Sequence, residues 1–248
     1  MIQLCIIKII GYGPWTLTLG SDREHILQML QASLYKNLQE SFSEKNCLVF
    51  VNRADEFFAV TNGLDIQGHE KIKKRMFDPR TKLSFSIGCS NTPYEANLAA
   101  YEARKVSQLN GKNDSVCGEA CDGDFVTIMH LDIDNFTKSQ KKLSPYDTTS
   151  TIFSLYAYMS EFFMAKKSLS FFMGGDNFMI VSSPSAKESV AEFISKVKKE
   201  RGITLNCGIG TAKRSRQAAC LATESLDTIR KMRDSNGKNP RIYELPCS

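Results

Sequence analysis

Histidine is scarce in this sequence, with three residues in a chain of 248. His25, His69 and His130 have no cysteine partners at the spacing of a zinc site. Cys117 and Cys121 lie in a polar segment, but their spacing differs from Cys-x-x-Cys. The sequence therefore disfavours a conventional zinc site.

Long apolar runs are also absent, since none approaches the roughly 20 residues that a membrane-spanning helix needs. The apolar start of the chain has neither a basic region nor a small-residue cleavage site, so we expect a first strand there and not a signal peptide. We therefore expect no membrane partner and a cytoplasmic location.

The eight cysteines do not indicate a disulfide scaffold. Cys5, Cys47, Cys89 and Cys207 lie in apolar, strand-like runs, where a thiol behaves as a small buried hydrophobic side chain. A chain of this length with 42% hydrophobic residues builds a core without covalent links. We expect free thiols in a reducing compartment.

Dense basic tracts are missing as well. The formal net charge is +5, and the basic residues are spread along the chain, with local groups at 138–142 and 213–216. A nucleic-acid-binding chain usually concentrates its basic residues, so we expect no nucleic-acid partner. A few basic side chains near a phosphate-rich ligand would account for the same surplus.

The clearest sign of organisation is an internal repeat. Residues 104–113 begin with Arg-Lys and end with Asn-Gly-Lys-Asn, and residues 230–239 repeat these six identities in the same register. Residues 53–57 (Arg-Ala-Asp-Glu-Phe) likewise correspond to residues 174–178 (Gly-Gly-Asp-Asn-Phe). Landmarks that recur in the same order indicate that one unit has been duplicated.

Apolar spacing in each half predicts the order strand, helix, hairpin, helix, strand, helix. Two β-α-β units around a central hairpin form a ferredoxin-like sheet. We therefore predict an α+β fold with two tandem ferredoxin-like (palm-like) domains, at residues 1–120 and 121–248, each with an antiparallel sheet and helices on one face. One continuous α/β domain with accidental internal similarity is the alternative.

Carboxylates follow two predicted strands of the second half. Asp132 and Asp134 close an apolar strand and point to the same face, because side chains alternate with a period of two. Gly174 and Gly175 precede Asp176 at a predicted hairpin tip, where glycine allows a tight turn. Since the opening strand lies beside the central hairpin, Asp132 and Asp176 should meet at one edge of the sheet.

Converging carboxylates without histidine or cysteine partners favour a hard cation. We expect Mg²⁺, as two or more ions, held by carboxylates and substrate phosphates. The loop from Asn135 to Lys138 could offer backbone N–H groups to phosphate oxygens. Gly-Gly-Asp alone also occurs in plain hairpins, and Asp-x-Asp alone also caps helices. Their joint placement in a duplicated unit favours a metal–nucleotide site.

The motif pair at 132–136 and 174–178 resembles the GGDEF and nucleotidyl-cyclase superfamily, whose catalytic domains are palm-like. In that superfamily two such acids and an intervening carbonyl bind divalent ions, which implies Asp132, Asp176 and the backbone of Ile133 as metal ligands. We expect catalytic roles for Asp132, Asp134 and Asp176. We expect substrate contacts from Asn135, Phe136, Gly174, Gly175 and Asn177.

Nearly the whole chain is similar to the GTP cyclohydrolase III family, through residues 12–15, 61–63, 92–96 and 172–179. This resemblance implies hydrolysis of GTP to a 2-amino-5-formylamino-6-ribosylaminopyrimidinone monophosphate and phosphate. It also implies dependence on Mg²⁺, a response to monovalent cations, and a homo-oligomer, either a dimer or a tetramer.

The first half departs from this metal pattern. Lys8 and Ile10 stand at the positions of Asp132 and Asp134, and residues 53–55 read Arg-Ala-Asp in place of Gly-Gly-Asp. We expect the first half to lack its own two-metal site and to bind the base or support a dimer.

Several roles stay open at this point. Tyr12 and Trp15 are interpreted as core residues, with contact to the guanine ring as the alternative. The base for ring opening is Asp134, Asp55 or His130 by chemistry alone, although a supporting or structural role suits His130 better.

Two other functions remain to be distinguished. A GGDEF-type nucleotidyl cyclase would use the same metals, but Asn177 replaces the acid that usually follows Gly-Gly-Asp. A non-enzymatic nucleotide sensor derived from a cyclase would not need Asp132 and Asp176, which are both present.

Overall fold

The computed structural model describes residues 1–76, 78, 80–136, 143–237 and 240–245. The chain divides into two compact units, the first formed by Met1–Asn91 with Glu95–Asp124 and the second by Thr92–Tyr94 with Phe125–Ser248. The change from one unit to the other after residue 124 lies close to the predicted boundary after residue 120.

The first unit contains the helices and strands of the first repeat. In chain order they are β1 (Ile2–Ile9), α1 (Tyr12–Leu17), α2 (Arg23–Ser43), β2 (Leu48–Arg53), β3 (Glu56–Val60), α3 (Ile66–Arg75), β4 (Leu83–Ser90), α4 (Pro93–Leu109) and β5 (Val116–Gly118). The strand order in the sheet is β2-β3-β1-β4-β5. The short elements α1 and β5 were not predicted.

The second unit repeats this arrangement. In chain order its elements are β6 (Val126–Ile133), α5 (Pro145–Ala165), β7 (Leu169–Gly174), β8 (Asn177–Ser182), α6 (Pro184–Glu188), α7 (Val190–Arg201), β9 (Leu205–Ala212), α8 (Ser215–Asn236) and β10 (Ile242–Glu244). The strand order is β10-β9-β6-β8-β7. The helix predicted at about 185–200 is interrupted at Ser189, which ends α6 and precedes α7.

The four strands of each ferredoxin-like part are antiparallel to their neighbours, as predicted. A fifth strand extends each sheet at one edge and runs parallel to its neighbour, β5 beside β4 and β10 beside β9. Each sheet is therefore mixed, and the predicted antiparallel pairing describes its ferredoxin-like part.

Helices lie on both faces of the sheet in each unit. In the first unit, α2 and α3 pack against the face that carries Cys5. Helix α4 lies on the opposite face, because Ala100 meets Gly88, and Gly88 pairs with Leu4, whose side chain points away from that of Cys5. The expected single helical face thus holds for the ferredoxin-like part, and α4 covers the other side. Helix α8 has the same position in the second unit.

Glycine is required where α8 crosses β9. A Cβ atom on Gly208 would meet the carbonyl oxygen of Ala222, and one on Gly210 would meet that of Ala218. Because these backbones cannot move apart without separating helix from strand, both positions exclude a side chain. This close approach brings the last turns of α8 to the end of β6.

Tyr12 and Trp15 are partly buried and pack against the apolar core of the first unit. The Tyr12 hydroxyl accepts a hydrogen bond from Nε2 of Gln31 at 2.6 Å. These contacts support the core interpretation of both residues.

One expectation about cysteine was wrong. Cys89 forms a disulfide with Cys121, with a Cα–Cα distance of 6.3 Å and a sequence separation of 32. Cys89 lies at the partly exposed end of β4 and not in the buried core, so the apolar run before it was misleading. Cys5, Cys47 and Cys207 are free and buried, as expected. None of the helices in the described ranges combines the length and apolar composition of a membrane span.

Candidate active site

The hairpin between β7 and β8 has the tight turn that the two glycines predicted. Gly174 and Gly175 have φ values of +105° and +60°, a region that residues with a side chain rarely adopt. The pairing of the two strands shifts between Phe172 and Gly174, as in a β-bulge. The turn presents Asp176 next to the end of β6, where Asp132 pairs with Asn177.

Asp132 is buried at the end of β6, with a side chain that is 7% exposed. Its Oδ2 atom accepts a hydrogen bond from Nη2 of Arg230 on α8 at 2.7 Å. Its Oδ1 atom is buried and has no hydrogen-bond partner in the described part of the protein. Because leaving a buried charged oxygen unpaired is costly, this atom indicates a place for a further positive or donor group.

Asp176 experiences the negative charge of Asp132. Burial is the main cause that raises the pKa of Asp176 above its ordinary value, and the charge of Asp132 raises it further. Because Asp132 pairs with the residue that follows Asp176, and both acids line one cavity, the two carboxylates lie at the same edge of the sheet. A cation between two such acids would relieve both the desolvation and the repulsion.

Asp134 lies on the same face but has different partners. It accepts hydrogen bonds from Nη1 of Arg233 at 3.0 Å and from Nη1 of Arg241 at 2.6 Å. Burial would raise the pKa of Asp134, but the hydrogen bonds from Arg241 and Asn206 and the charges of Arg241 and Arg233 outweigh it and lower that pKa. Both oxygens of Asp134 are thus already engaged by arginine.

A cavity of about 420 Å³ opens at these residues. Its walls are formed by Asp132, Ile133, Asp134, Asn135, Phe136, Asp176, Arg230, Arg233 and Asp234. Six of these residues were predicted from the sequence, whereas Gly174, Gly175 and Asn177 do not line the cavity. Residues 137 and 138 of the predicted phosphate loop, and the basic group at 138–142, lie outside the described residues.

The loop after β6 contains a left-handed residue. Asn135 has φ +55°, a conformation that asparagine tolerates better than most residues. Phe136 packs against the apolar core of the second unit. The backbone at Asn135 is therefore turned sharply at the mouth of the cavity, where a phosphate was expected to bind.

Sequence reasoning missed the two arginines of the cavity wall. Arg230 opens the second copy of the repeated motif, as Arg104 opens the first, so the repeat itself contained the signal. Arg233 lies one helical turn further along α8 and has no such marker. Together they place two positive charges opposite Asp132 and Asp134.

The corresponding place in the first unit is filled by ion pairs. Lys8 pairs with Glu56 across β1 and β3 as Asp132 pairs with Asn177 across β6 and β8. The Lys8 ammonium lies 3.0 Å from Asp55 and 3.5 Å from Glu56. Lys8 therefore places its positive charge beside Asp55, the acid that this unit retains from the motif.

The residues present fit a hard divalent cation. Among the described residues there is no group of three or more histidine, cysteine, aspartate or glutamate side chains suited to a metal. Asp132 and Asp176 provide two carboxylates, one with a partnerless buried oxygen. Such a limited oxygen set suits Mg²⁺, which usually keeps several waters and binds substrate phosphates.

Two comparisons with solved structures give weak similarity. The active GGEEF domain of a diguanylate cyclase from Vibrio cholerae is 15% identical, with a TM-score of 0.40, and the match covers 61% of this chain and 96% of that domain. A bacterial light-regulated adenylyl cyclase is 13% identical, with a TM-score of 0.39, over 94% of this chain and 83% of the other.

Comparisons of sequence give strong similarity. The family model of GTP cyclohydrolase III matches residues 2–239. The GTP cyclohydrolase III of Methanothermobacter thermautotrophicus is 35% identical over 93% of this chain and 95% of its own length. That of Methanocaldococcus jannaschii is 35% identical over 95% of this chain and 91% of its own length. With a match of this extent, the chain belongs to the GTP cyclohydrolase III family.

Proposed function

We propose that this chain hydrolyses GTP to the formylamino-pyrimidinone ribonucleotide, 2-amino-5-formylamino-6-(5-phosphoribosylamino)pyrimidin-4(3H)-one, and releases two equivalents of phosphate, since the product keeps one of the three phosphates. The observation that carries the proposal is the partnerless Oδ1 of Asp132 beside Asp176 in a cavity that also holds arginines. Membership of the GTP cyclohydrolase III family supplies the substrate and the reaction class.

Asp132, Asp176 and the backbone carbonyl of Ile133 would hold Mg²⁺ at this site. When bound, the metal would neutralise phosphate charge and increase the acidity of a bound water. Oδ2 of Asp132 accepts a hydrogen bond from Arg230, so the partnerless Oδ1 would be the atom that faces the metal.

The arginines of the cavity wall would bind phosphate oxygens. The side chains of Arg230 and Arg233 are 42% and 30% exposed, so both guanidinium groups can meet a ligand that enters from solvent. A guanidinium matches the geometry of a phosphate better than an ammonium does. We expect these two residues to orient the triphosphate and to exclude competing water.

Each of the three candidate bases for imidazole ring opening already has protein partners. Asp134 is held by Arg233 and Arg241, and Asp55 pairs with Lys8 in the first unit. Both ring nitrogens of His130 lie at hydrogen-bond distance from protein partners. Any of the three would have to exchange such a partner for the water that attacks the carbon between the two imidazole nitrogens.

Incubation of the purified chain with GTP and Mg²⁺ tests the proposal. A cyclohydrolase gives the ultraviolet spectrum of an opened imidazole ring together with orthophosphate. A nucleotidyl cyclase leaves the purine spectrum intact and releases pyrophosphate, and a sensor binds GTP without turnover. Either of the last two results would remove the proposed function, and Asp132→Asn provides the inactive control.

Three further expectations stay predictions. They are the assembly into a dimer or tetramer, the activation by monovalent cations, and the cytoplasmic location.

A further inference from the structure

A line of hydrogen bonds connects α8 to the hairpin acid through the sheet. Oγ1 of Thr223 lies 3.1 Å from Nδ1 of His130, and Nε2 of His130 lies 3.0 Å from Oδ1 of Asn177. Nδ2 of Asn177 then donates to Oδ1 of Asp176 at 3.0 Å. The line therefore runs from a helix, across β6, to an acid of the proposed metal site.

The chemistry of these groups gives the line one direction. An ionised carboxylate only accepts hydrogen bonds, so the amide of Asn177 must turn its nitrogen to Asp176 and its oxygen to His130. Nε2 of His130 must then carry the hydrogen and donate a hydrogen bond to Oδ1 of Asn177. In the neutral ring Nδ1 accepts from the hydroxyl of Thr223. Each side chain thus fixes the orientation of the next.

The imidazole ring of His130 is confined by its surroundings. Its side chain lies between the sheet and α8, and the residue is 9% exposed. Because the glycines of β9 bring α8 so close to the sheet, the imidazole has little space to rotate. Through its hydrogen bond, the confined ring restricts the side chain of Asn177, which lies at the partly exposed hairpin.

The first unit provides an internal comparison. Strand register places Ile6 where the second unit has His130, and Glu56 where it has Asn177. Isoleucine cannot donate a hydrogen bond, and Glu56 is instead held by Arg104 at 2.9 Å. Asp55, the counterpart of Asp176, pairs with Lys8. The unit without the acid pair thus also lacks the hydrogen-bonded line.

We propose that His130 and Asn177 are positioning residues that fix the carboxylate of Asp176 for a divalent cation. This inference rests on the proposed function, because it assumes that Asp176 is a metal ligand. Residues behind metal ligands typically change metal affinity or activity by about 10- to 100-fold when they are mutated. His130 would therefore influence the reaction without touching the substrate.

A pair of substitutions at His130 separates positioning from packing. His130→Leu fills the space but removes the donor, whereas His130→Gln keeps an amide N–H near the place of Nε2. Mn²⁺ binding to the full chain, followed by electron paramagnetic resonance, reports the site without GTP turnover. We expect about a 10-fold or greater rise in the Mn²⁺ dissociation constant for leucine, and less than about a threefold rise for glutamine. The exposed His25→Leu in the first unit is the matched control.

Steady-state kinetics give the second measurement. For His130→Leu, the Mg²⁺ concentration for half-maximal turnover should rise by the same factor, and kcat at saturating Mg²⁺ should largely recover. Asn177→Ala, at the partly exposed hairpin, should reproduce this effect if the leucine variant does not fold. Equal losses in the glutamine and leucine variants, or unchanged Mn²⁺ affinity in folded His130→Leu and Asn177→Ala, would overturn the inference. Mn²⁺ binding without GTP turnover in the wild type would contradict the proposed function alone.

Discussion

Glu56 in the first unit offers a direct test of the ion pairs that this unit has at the place of Asp132 and Asp176. The Glu56 carboxylate is 8% exposed and accepts hydrogen bonds from Arg104 at 2.9 Å and from Asn52 at 2.8 Å. The cationic groups of Lys8 and Arg53 lie 3.5 Å and 3.4 Å away. Glu56→Gln preserves the shape of the side chain and removes its charge.

The expected loss follows from these contacts. A hydrogen bond to a charged group contributes about 1.5–3 kcal/mol. The Asn52 bond survives in the variant, and the exposure of Lys8 (26%) and Arg53 (59%) screens their share of the interaction. We therefore expect Glu56→Gln to lower the free energy of unfolding by about 2 kcal/mol at pH 7.

The loss should depend on pH in one direction. Burial opposes ionisation of Glu56, but the hydrogen bond from Arg104 and the charge of Lys8 outweigh it, so its pKa in the folded protein lies below the ordinary value. A lowered pKa gives stability that is complete above the unfolded pKa of about 4.3 and is lost as the pH falls through the folded pKa. The difference between wild type and Glu56→Gln should be constant from pH 7 to about 5 and shrink below about 4.

Urea unfolding at several pH values measures this difference. Glu102→Gln is the control, since Glu102 is 62% exposed in its pair with Lys105, and it should change little at any pH. Equal stability of Glu56→Gln and wild type at pH 7, or a difference that does not shrink in acid, would refute the reasoning.

The remaining predictions concern the second unit and its site. Asp132→Ala and Asp176→Ala should each lower GTP turnover on the order of a thousandfold or more through lost metal ligation, whereas Asp55→Ala should leave Mg²⁺ binding nearly unchanged. Circular dichroism verifies folding, and wild-type turnover in either second-unit variant would contradict the metal assignment. Gly210→Ala should destabilise the protein by about 3 kcal/mol or more, because the added Cβ meets the backbone of α8. Gly13→Ala, where nothing lies within 4 Å, is its control, and comparable urea midpoints would count against the close packing of α8.

The alternation of apolar residues was sufficient to predict the ferredoxin-like part of both units. Period-two strands and period-3.6 helices are local signals, and the Gly174-Gly175 turn is one too. The strands β5 and β10 have three residues each, too few for a period to be recognised. The placement of α4 and α8 on the second face depends on Gly88, Gly208 and Gly210. The need for glycine at these positions is recognisable only from the contact between strand and helix, which the local sequence pattern does not contain.

The acids of the site were predictable, but their partners were not. Asp132 near the end of β6 and Asp176 at the hairpin turn both belong to recognisable motifs, so the sequence alone predicted that they lie together. The partners of Asp134, by contrast, are Arg233 and Arg241, and Arg241 is 107 residues away in sequence. The Cys89–Cys121 disulfide was missed for the same reason, since pairing over long separations is set by the tertiary fold.

The fate of the imidazole carbon of guanine tests the central claim most directly. GTP that is isotopically labelled at this carbon is incubated with the full chain and Mg²⁺, and carbon NMR then follows the label while a colorimetric assay follows orthophosphate. A formamide signal on the nucleotide, together with orthophosphate, is the expected result, and both should disappear in Asp132→Asn. One equivalent of labelled formate, or an intact purine signal with pyrophosphate, would contradict the proposed reaction.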